Sequence, residues 1–369
     1  MVSLAKENLF HEKSKIAISV GGVVLSVFLI FTTTGLYAAM DTMMENMVLE
    51  AGADLWVTSK GASGSLHSPS LLPIELNESL EQIEGVERAA PLIRTAMTTN
   101  MNGKRVLLYI DGYDTESGMG GPWKVIEGAS EPRSGEAIVD RVLAAKNGLS
   151  IGMNINIEGK EFKIVGISDE TSLMIAYLVF LTYEDASSFL PENITNYFLI
   201  KVSSPSQLTA VKNEIENTFP EVSVATSEET ANAYKEELLG GFLPILYTIS
   251  GVGVFVGILI IGLLVYTLTI EKSKEYGILK AVGATNLYLY KIVLFQALII
   301  SMLGFLVGVI VSIPAIYLIQ TSVPEFTVLV TSEMIVWAFL VFIVTGLVAS
   351  TIPIRRLSRI DPAIVFKGG

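Results

Sequence analysis

Residues 271–285 read EKSKEYGILKAVGAT, a short charged segment wedged between two long apolar stretches. Residues 245–270 before it carry no charge, and residues 287–319 after it carry only Lys291. A helix of about 20 apolar residues spans a bilayer, so this segment turns the chain back at one face of a membrane. As a helix, residues 274–282 place Ile278, Leu279, Ala281 and Val282 on one broad apolar sector, flanked by Lys272 and Lys280. Gly283 stands where that helix would end in left-handed geometry, and Thr285 or Asn286 can cap the next. A plain connecting loop needs neither. Two readings stay open: the apolar side docks in a groove of another protein, or it rests on lipid headgroups.

The rest of the chain supports a membrane protein. Of 369 residues, 51% are hydrophobic and 17% charged, and the apolar ones are gathered in blocks. Four spans are expected: 16–40, 242–270, 287–319 and 333–353, with a loop at 320–332. Residues 41–241 hold 30 acidic and 14 basic residues, in a chain of net charge −12. The short segments are basic instead, through Lys6, Lys13, Lys15, Lys272, Lys274, Lys280, Lys291, Arg355, Arg356, Arg359 and Lys367. Short Lys/Arg-rich loops stay in the cytoplasm, whereas large domains cross largely regardless of charge. Both termini and the 271–286 corner are therefore expected inside, and residues 41–241 outside, in a multi-pass protein of the cell membrane. The acidic outer domain argues against nucleic acid as a partner. The first span has 25 uncharged residues, more than the 7–15 apolar residues of a signal-peptide core, and "GLYAAMD" is a poor cleavage site. It reads as an uncleaved anchor.

The expected fold class is an α-helical membrane protein with four transmembrane helices and an α+β extracytoplasmic domain. "DLWVTSK" (54–60) and "PIELNESLEQIEGVERAAPLI" (73–93) read as strand, helix, strand, with Leu76, Leu80 and Ile83 on one helix face. "NYFLIKVSS" (196–204) and "PSQLTAVKNEIENTFPEVSVATS" (205–227) repeat the pattern, with Leu208, Val211 and Ile215. Two βαβ units of this kind predict a split, ferredoxin-like sheet over 54–112 and 193–227. A β-rich subdomain is expected as an insertion at 113–192, with "INIEGKEFKIVGIS" as a hairpin turning at Glu158–Lys160. Asn102–Gly103 marks another tight turn. Residues 41–50 and 228–240 are expected to extend the first two spans as a helical stalk, with Ser227 as N-cap and Gly240, Gly241 and Pro244 breaking the second helix. Residues 1–15, with Val2, Ala5 and Leu9 on one face, read as an amphipathic helix on the inner membrane surface or as an unstructured start; 354–369 is a basic tail.

Catalytic chemistry is hard to find. Ion or proton pathways leave buried charges inside spans, and these spans carry charge only near their ends, at Lys291 and Glu333. His11 and His67 fall on opposite sides of the membrane, and the chain has no cysteine, so zinc and thiolate sites of the usual kind are excluded. "GVGVFVG" (251–257) lacks the spacing of a dinucleotide fingerprint, and no G-x-x-x-x-G-K-[ST] occurs. No metal or cofactor is assigned to this chain, and any ATP and Mg belong to a partner. Small residues at four-residue spacing (Gly22/Ser26, Gly253/Gly257, Gly304/Gly308, Gly346/Ser350) suit helix packing or dimerisation, and Pro314 is expected to kink the third span. Met40, Met43, Met44 and Met47 cluster where the first span leaves the membrane. Methionine suits surfaces that repack around varied apolar partners, so this face reads as helix packing, a dimer seam or a hydrophobic substrate surface, with a haem-ligating site as the remotest option.

The 271–285 segment resembles the E-[RK]-x-[RK]-E-[IY]-G-[IL]-L-[RK]-A-[LV]-G-A-[ST] signature of MacB/FtsX-like ABC transporter permeases, through Glu271, Lys272, Lys274, Glu275, Gly277, Ile278, Leu279, Lys280, Ala281, Gly283, Ala284 and Thr285. The resemblance extends to the four spans, the large domain between the first two, "EAIVDRVLAAKNGLSIG" and the "RRLSRIDPAIVFK" tail. It implies that Glu271, Lys272, Lys274, Glu275, Gly277, Ile278, Leu279, Lys280 and Gly283 belong to a coupling helix that sits on a separate ABC ATPase. Two ATPases and two copies of this chain would form the complex, and ATPase closure would pass along the stalk to the outer domain without a substrate channel, to export or extract a hydrophobic or amphipathic substrate. MacB carries its ATPase on the same chain, so the likeness is nearer the stand-alone lipoprotein-releasing, DevC-type and haem-exporting permeases. Two alternatives differ in kind: an FtsX-like regulator of an extracellular hydrolase, and a membrane-anchored binding module.

Overall fold

The computed structural model describes residues 13–62, 70–172, 176–323 and 326–358. The start of the expected N-terminal helix, His11, His67 and the tail beyond Ser358 lie outside the described residues. The described residues form two compact units: a helical one from residues 13–38, 243–323 and 328–358, and an α/β one made mainly from 39–242.

In the α/β unit, helix α1 (Lys13–Leu49) contributes its residues from Ala39 onward. It is followed by β1 (Leu55–Ser59), the short β2 (Leu72–Pro73), α2 (Leu76–Glu81), β3 (Val86–Met101) and β4 (Lys104–Tyr113). Next come β5 (Val125–Gly128), β6 (Glu136–Asp140), α3 (Arg141–Asn147), β7 (Asn154–Ile157), β8 (Lys160–Ser168), β9 (Tyr177–Thr182) and α4 (Tyr183–Ser187). The chain then returns through β10 (Ile194–Thr195), β11 (Tyr197–Val202), α5 (Leu208–Thr218) and β12 (Val222–Thr226) into α6 (Ser227–Glu271).

Strand order β12-β1-β11-β3, all antiparallel, with α2 and α5 as the two crossovers, is the split βαβ arrangement the repeat predicts. The β-rich stretch does not stand apart as an insertion with its own sheet. β4 pairs with β3 along its whole length and then, in parallel, with β9, so that β6, β8 and β5 continue one ten-stranded sheet among the described residues. The long β3–β4 hairpin causes this, because it projects past the ferredoxin-like half and offers a free edge. Its turn, Asn102 (φ 52°) and Gly103 (φ 76°), has the positive dihedrals that match strand twist. Glu158 (φ 50°) and Gly159 (φ 84°) do the same between β7 and β8.

Side-chain alternation along the strands fills two cores in the ferredoxin-like half. Leu55, Val57, Phe198 and Ile200 face α2 and α5, together with Leu80, Val211 and Ile215. Trp56, Tyr197, Leu199 and Leu92 point the other way, onto Met44, Met47 and Val48 of α1 and Ala231 and Tyr234 of α6. A further core, with Leu143 of α3 and Ala186 of α4, supports the second half. The start of α6 departs from expectation in one detail. Thr226, not Ser227, is the cap: its hydroxyl accepts from Glu229 N (3.1 Å), and Glu229 accepts from Thr226 N (2.8 Å), a reciprocal capping box. The Ser227 hydroxyl is used elsewhere, donating to Ala53 O at 2.6 Å.

The expected break in α6 does not occur either, since the helix runs on through Gly240, Gly241 and Pro244. Proline removes one backbone donor, the one that would meet Gly240 O, and helices of apolar segments tolerate such a loss; the Thr248 hydroxyl donates to Pro244 O at 2.6 Å, within the same turn. In the helical unit α6 is followed by α7 (Ser273–Ala281), α8 (Asn286–Ser322), α9 (Ser332–Ala349) and α10 (Thr351–Ser358). Among the described residues, four helices are long and apolar enough to cross a membrane. The four pairs of small residues serve packing inside the chain. Gly253 and Gly257 lie against Ser26 and Leu29, and Gly22 against Ile260, so α1 seats on α6. A Cβ on Gly304 or Gly308 would stand 2.6 or 2.7 Å from Val23 or Val27, so α8 seats on the other side of α1. Gly346 meets Ala297 and Ser301, which joins α9 to α8. Gly304→Leu is therefore expected to force α1 and α8 apart at a loss of about 1–3 kcal/mol, read as a lower unfolding temperature in detergent.

Candidate functional site

The corner between α6 and α8 is built as a fixed object. α6 ends at Glu271, and α7 begins at once, with Tyr276 N donating to Lys272 O at 3.0 Å. At the far end Ala284 N donates to Leu279 O (2.8 Å) and Gly283 N to Lys280 O (3.0 Å), with Gly283 at φ 103°. These are the two bonds of a Schellman stop, and only glycine takes that dihedral without strain. Thr285 Oγ1 then accepts from Tyr288 N at 3.3 Å and caps α8.

Burial splits α7 into two faces. Tyr276 (1% exposed) and Gly277 face inward, and Leu279 is half-buried. Outward stand Lys274, Ile278 (51%), Ala281, Val282 (84%) and, past the turn, Leu287 (63%). Fully burying Ile278, Val282 and Leu287 against a partner would release about 5 kcal/mol before association costs.

The charged residues are mostly engaged within the chain. Glu271 pairs with Lys15 of α1. Lys272 pairs with Glu275 at 2.5 Å, three residues on. Lys280 donates to Leu357 O at 3.2 Å and so ties α7 to α10, where Arg355 and Arg356 are exposed and Leu357 is fully buried. Thus of the nine residues singled out from the sequence, Ile278 and Lys274 face outward, Leu279 is half-buried, Gly277 and Gly283 shape the corner, and Glu271, Lys272, Glu275 and Lys280 hold it in place. Val282 and Leu287, the two most exposed apolar side chains here, were not among the nine. Helical periodicity gave Val282 a place on the apolar sector, but Leu287 lies beyond the turn, out of reach of any one-helix pattern.

Of the readings open for the methionine face, burial favours helix packing over the substrate and dimer faces. Met44 (2%) and Met47 (0%) sit in the core beneath Trp56, Leu92 and Tyr234, Met43 packs against it, and Met40 is 8% exposed. Three of the four thioethers are buried by their own chain, so this is helix packing and not a substrate or dimer face. The flexible side chain fills the irregular space between a helix end and a sheet.

The sequence reading also missed two features of this end of the α/β unit. Lys235 of α6 reaches Glu45 (2.7 Å) and Asp41 (3.3 Å) of α1 and clamps the two helices side by side. Under them, Arg94 and Asp111 form a bidentate pair (Nε–Oδ1 2.8 Å, Nη2–Oδ2 2.6 Å) with side chains 2% and 0% exposed. Burial works against the guanidinium charge, and the Asp111 carboxylate more than restores it, so the Arg94 proton affinity is raised.

Comparison with known proteins places both units. The model of the FtsX-like permease C-terminal domain matches residues 247–362, and that of the MacB-like periplasmic core domain matches residues 16–218. An uncharacterised ABC transporter permease of Mycobacterium tuberculosis (strain H37Rv) is 26% identical over 381 residues, covering 100% of both chains. A permease named for a hemin transport system, HrtB of Staphylococcus epidermidis (strain ATCC 12228), is 27% identical over 64% of this chain and 65% of its own. The macrolide export ATP-binding/permease protein MacB of Wolinella succinogenes is 32% identical over 35% of this chain and 19% of its own. Among solved structures, the extracellular domain of the transporter YknZ from Gram-positive bacteria covers 47% of this chain and 98% of its own, at 14% identity and TM-score 0.37. The periplasmic region of MacB from Actinobacillus actinomycetemcomitans covers 49% and 94%, at 12% identity and TM-score 0.38. With one model spanning more than half of the chain and the other covering the corner and the spans around it, the chain belongs to the MacB/FtsX-type ABC transporter permeases.

Proposed function

We propose that this chain is the permease subunit of an ABC exporter whose ATPase is a separate protein. The observation that carries the reading is the outward apolar face of Ile278, Val282 and Leu287 on a corner closed by a Schellman stop. A rigid apolar handle can be pushed; a mobile loop cannot. Lys15, Lys272, Lys274, Lys280, Arg355 and Arg356 mark the same end of the helical unit, and the charge rule puts that end in the cytoplasm, where ATP is. Two ATPases dock on two copies of the chain. Their closure moves α7 and with it α6, which reaches the α/β unit as part of the same helix. The substrate is hydrophobic or amphipathic and is taken from the outer leaflet, without passing through a channel of buried charges. The hemin transport named for one relative makes haem a first candidate, beside lipopeptides and other amphiphiles.

The test is reconstitution in nanodiscs with the ABC ATPase encoded nearest to this chain. A stable complex is expected, with an ATPase rate that changes when the right amphiphile is added. Failure of the wild-type chain to bind any such ATPase would overturn the proposal and leave the anchored binding module. A complex whose ATPase ignores every amphiphile but responds to an extracellular hydrolase would replace export with regulation.

A further inference from the structure

α7 is tied to more than its neighbours along the chain. The half-buried Lys280 reaches across with its ammonium and donates to Leu357 O at 3.2 Å. Leu357 is fully buried and is the last residue but one of α10, so its carbonyl is among those that a helix end leaves without an intrahelical partner. A cation is favoured at that end. α10 is in turn the continuation of α9. Ser350 N donates to Gly346 O at 3.2 Å and Ile354 N to Ser350 O at 3.0 Å, and Ser332–Leu357 makes one candidate span of 26 residues. Lys280 therefore caps the end of the fourth span. The contact of that span with α6 is different in kind. Gly257 and Gly262 of α6 face Thr345 and Ala349 of α9, where an added Cβ would stand 3.7 and 3.4 Å from the nearest atom of each. Glycine lets two helices approach closely but offers no ridge to fill a groove. This contact holds α9 beside α6 without fixing its position along the axis. α9 is bonded to α8 as well, through the Ser301 hydroxyl donating to Phe342 O; Lys280 adds the corner itself.

We propose that Lys280 is a positioning residue that straps α7 to the end of the α9–α10 helix, so that a push on α7 carries the fourth span along with α6 instead of sliding α6 past it. The consequence for the complex rests on the mechanical function proposed above and adds a second helix through which α7 acts. The strap itself is a property of this chain alone.

Lys280→Met keeps the apolar stem and removes the donor, and Lys280→Arg restores a donor. In the purified chain, amides of residues 354–357 are expected to exchange with deuterium about threefold faster in Lys280→Met than in wild type, and at the wild-type rate in Lys280→Arg. Equal exchange in all three overturns the strap. The chain has no cysteine, so nitroxides at Tyr247→Cys of α6 and Trp337→Cys of α9, both 69% exposed and remote from α7, report the distance between the two helices. In the complex with the ATPase, that distance is expected to stay constant on addition of nucleotide in wild type and Lys280→Arg. In Lys280→Met it is expected to change by about 2 Å, a readout that a merely structural role would not move. Should Lys280→Met fail to bind the ATPase, Lys280→Gln, too short to reach Leu357 O, takes its place. A change of that size in wild type, or none in the variant that lacks the strap, overturns the coupling. Nitroxides at Tyr247→Cys alone measure the distance between two copies of the chain. If nucleotide changes nothing there, the mechanical function falls and the coupling with it, while the exchange rates still decide the strap.

Discussion

Val282→Asp is expected to leave the folded permease intact and to abolish its complex with the ATPase. Val282 is 84% exposed and lies after the last turn of α7, so a carboxylate there meets water and changes stability by less than about 0.5 kcal/mol. Buried in a docking groove the same carboxylate would have to shed its water, with Lys272 and Lys280 already engaged and the outward Lys274 about two helical turns away. Desolvating an unpaired charge costs several kcal/mol, and about 3 kcal/mol weakens binding roughly 100-fold. Ile278→Asp, one turn earlier and 51% exposed, should behave alike. Leu279→Asp is the poorer probe, because Leu279 is half-buried and its loss would disturb the corner itself. Co-purification and the ATPase rate read the outcome. A wild-type-like complex from both outward variants would mean that this face rests on lipid.

Much of this was legible in the sequence, and what was missed has physical causes. The four spans and the corner follow from apolar block length and from one glycine at a position that needs positive φ. The ferredoxin-like half follows from two βαβ patterns whose helices each offer one apolar stripe. The continuity of the sheet was not legible, because β4 pairs in parallel with β9, more than sixty residues on, and parallel partners leave no turn signal between them. The methionines left several readings open for a different reason. A helix face shows that it is apolar but not what covers it, and here the cover is the underside of a sheet. The Arg94–Asp111 pair could have been found. An Asn-Gly turn at 102–103 fixes the hairpin register, Met101 opposite Lys104, and counting back places Arg94 opposite Asp111. Two opposite charges facing each other, with Leu92, Ala96, Tyr109 and Tyr113 beside them on the same face, are a signal that composition alone cannot give.

That register also sets the second large effect. Arg94→Met is expected to destabilise the α/β unit by about 3–5 kcal/mol, since it leaves Asp111, 0% exposed, without its counter-charge. For a domain of this size the unfolding temperature should fall by roughly 10 °C. The loss is expected to depend on pH. Burial raises the Asp111 carboxyl above its ordinary range and Arg94 is what opposes that rise, so without Arg94 the folded state holds a proton that the unfolded state releases. The folded state then binds more protons, and stability falls as pH rises from the ordinary carboxylate range through the raised value. Arg94→Met should therefore be closer to wild type at pH 5 than at pH 8. Asp111→Leu leaves a buried guanidinium, which cannot give up its proton, so its deficit should be equally large at both pH values. The double variant should recover most of the loss at either pH. Unfolding temperatures of the three variants at the two pH values decide the matter. If Arg94→Met alone matched the double variant at pH 8, the pair would not be coupled.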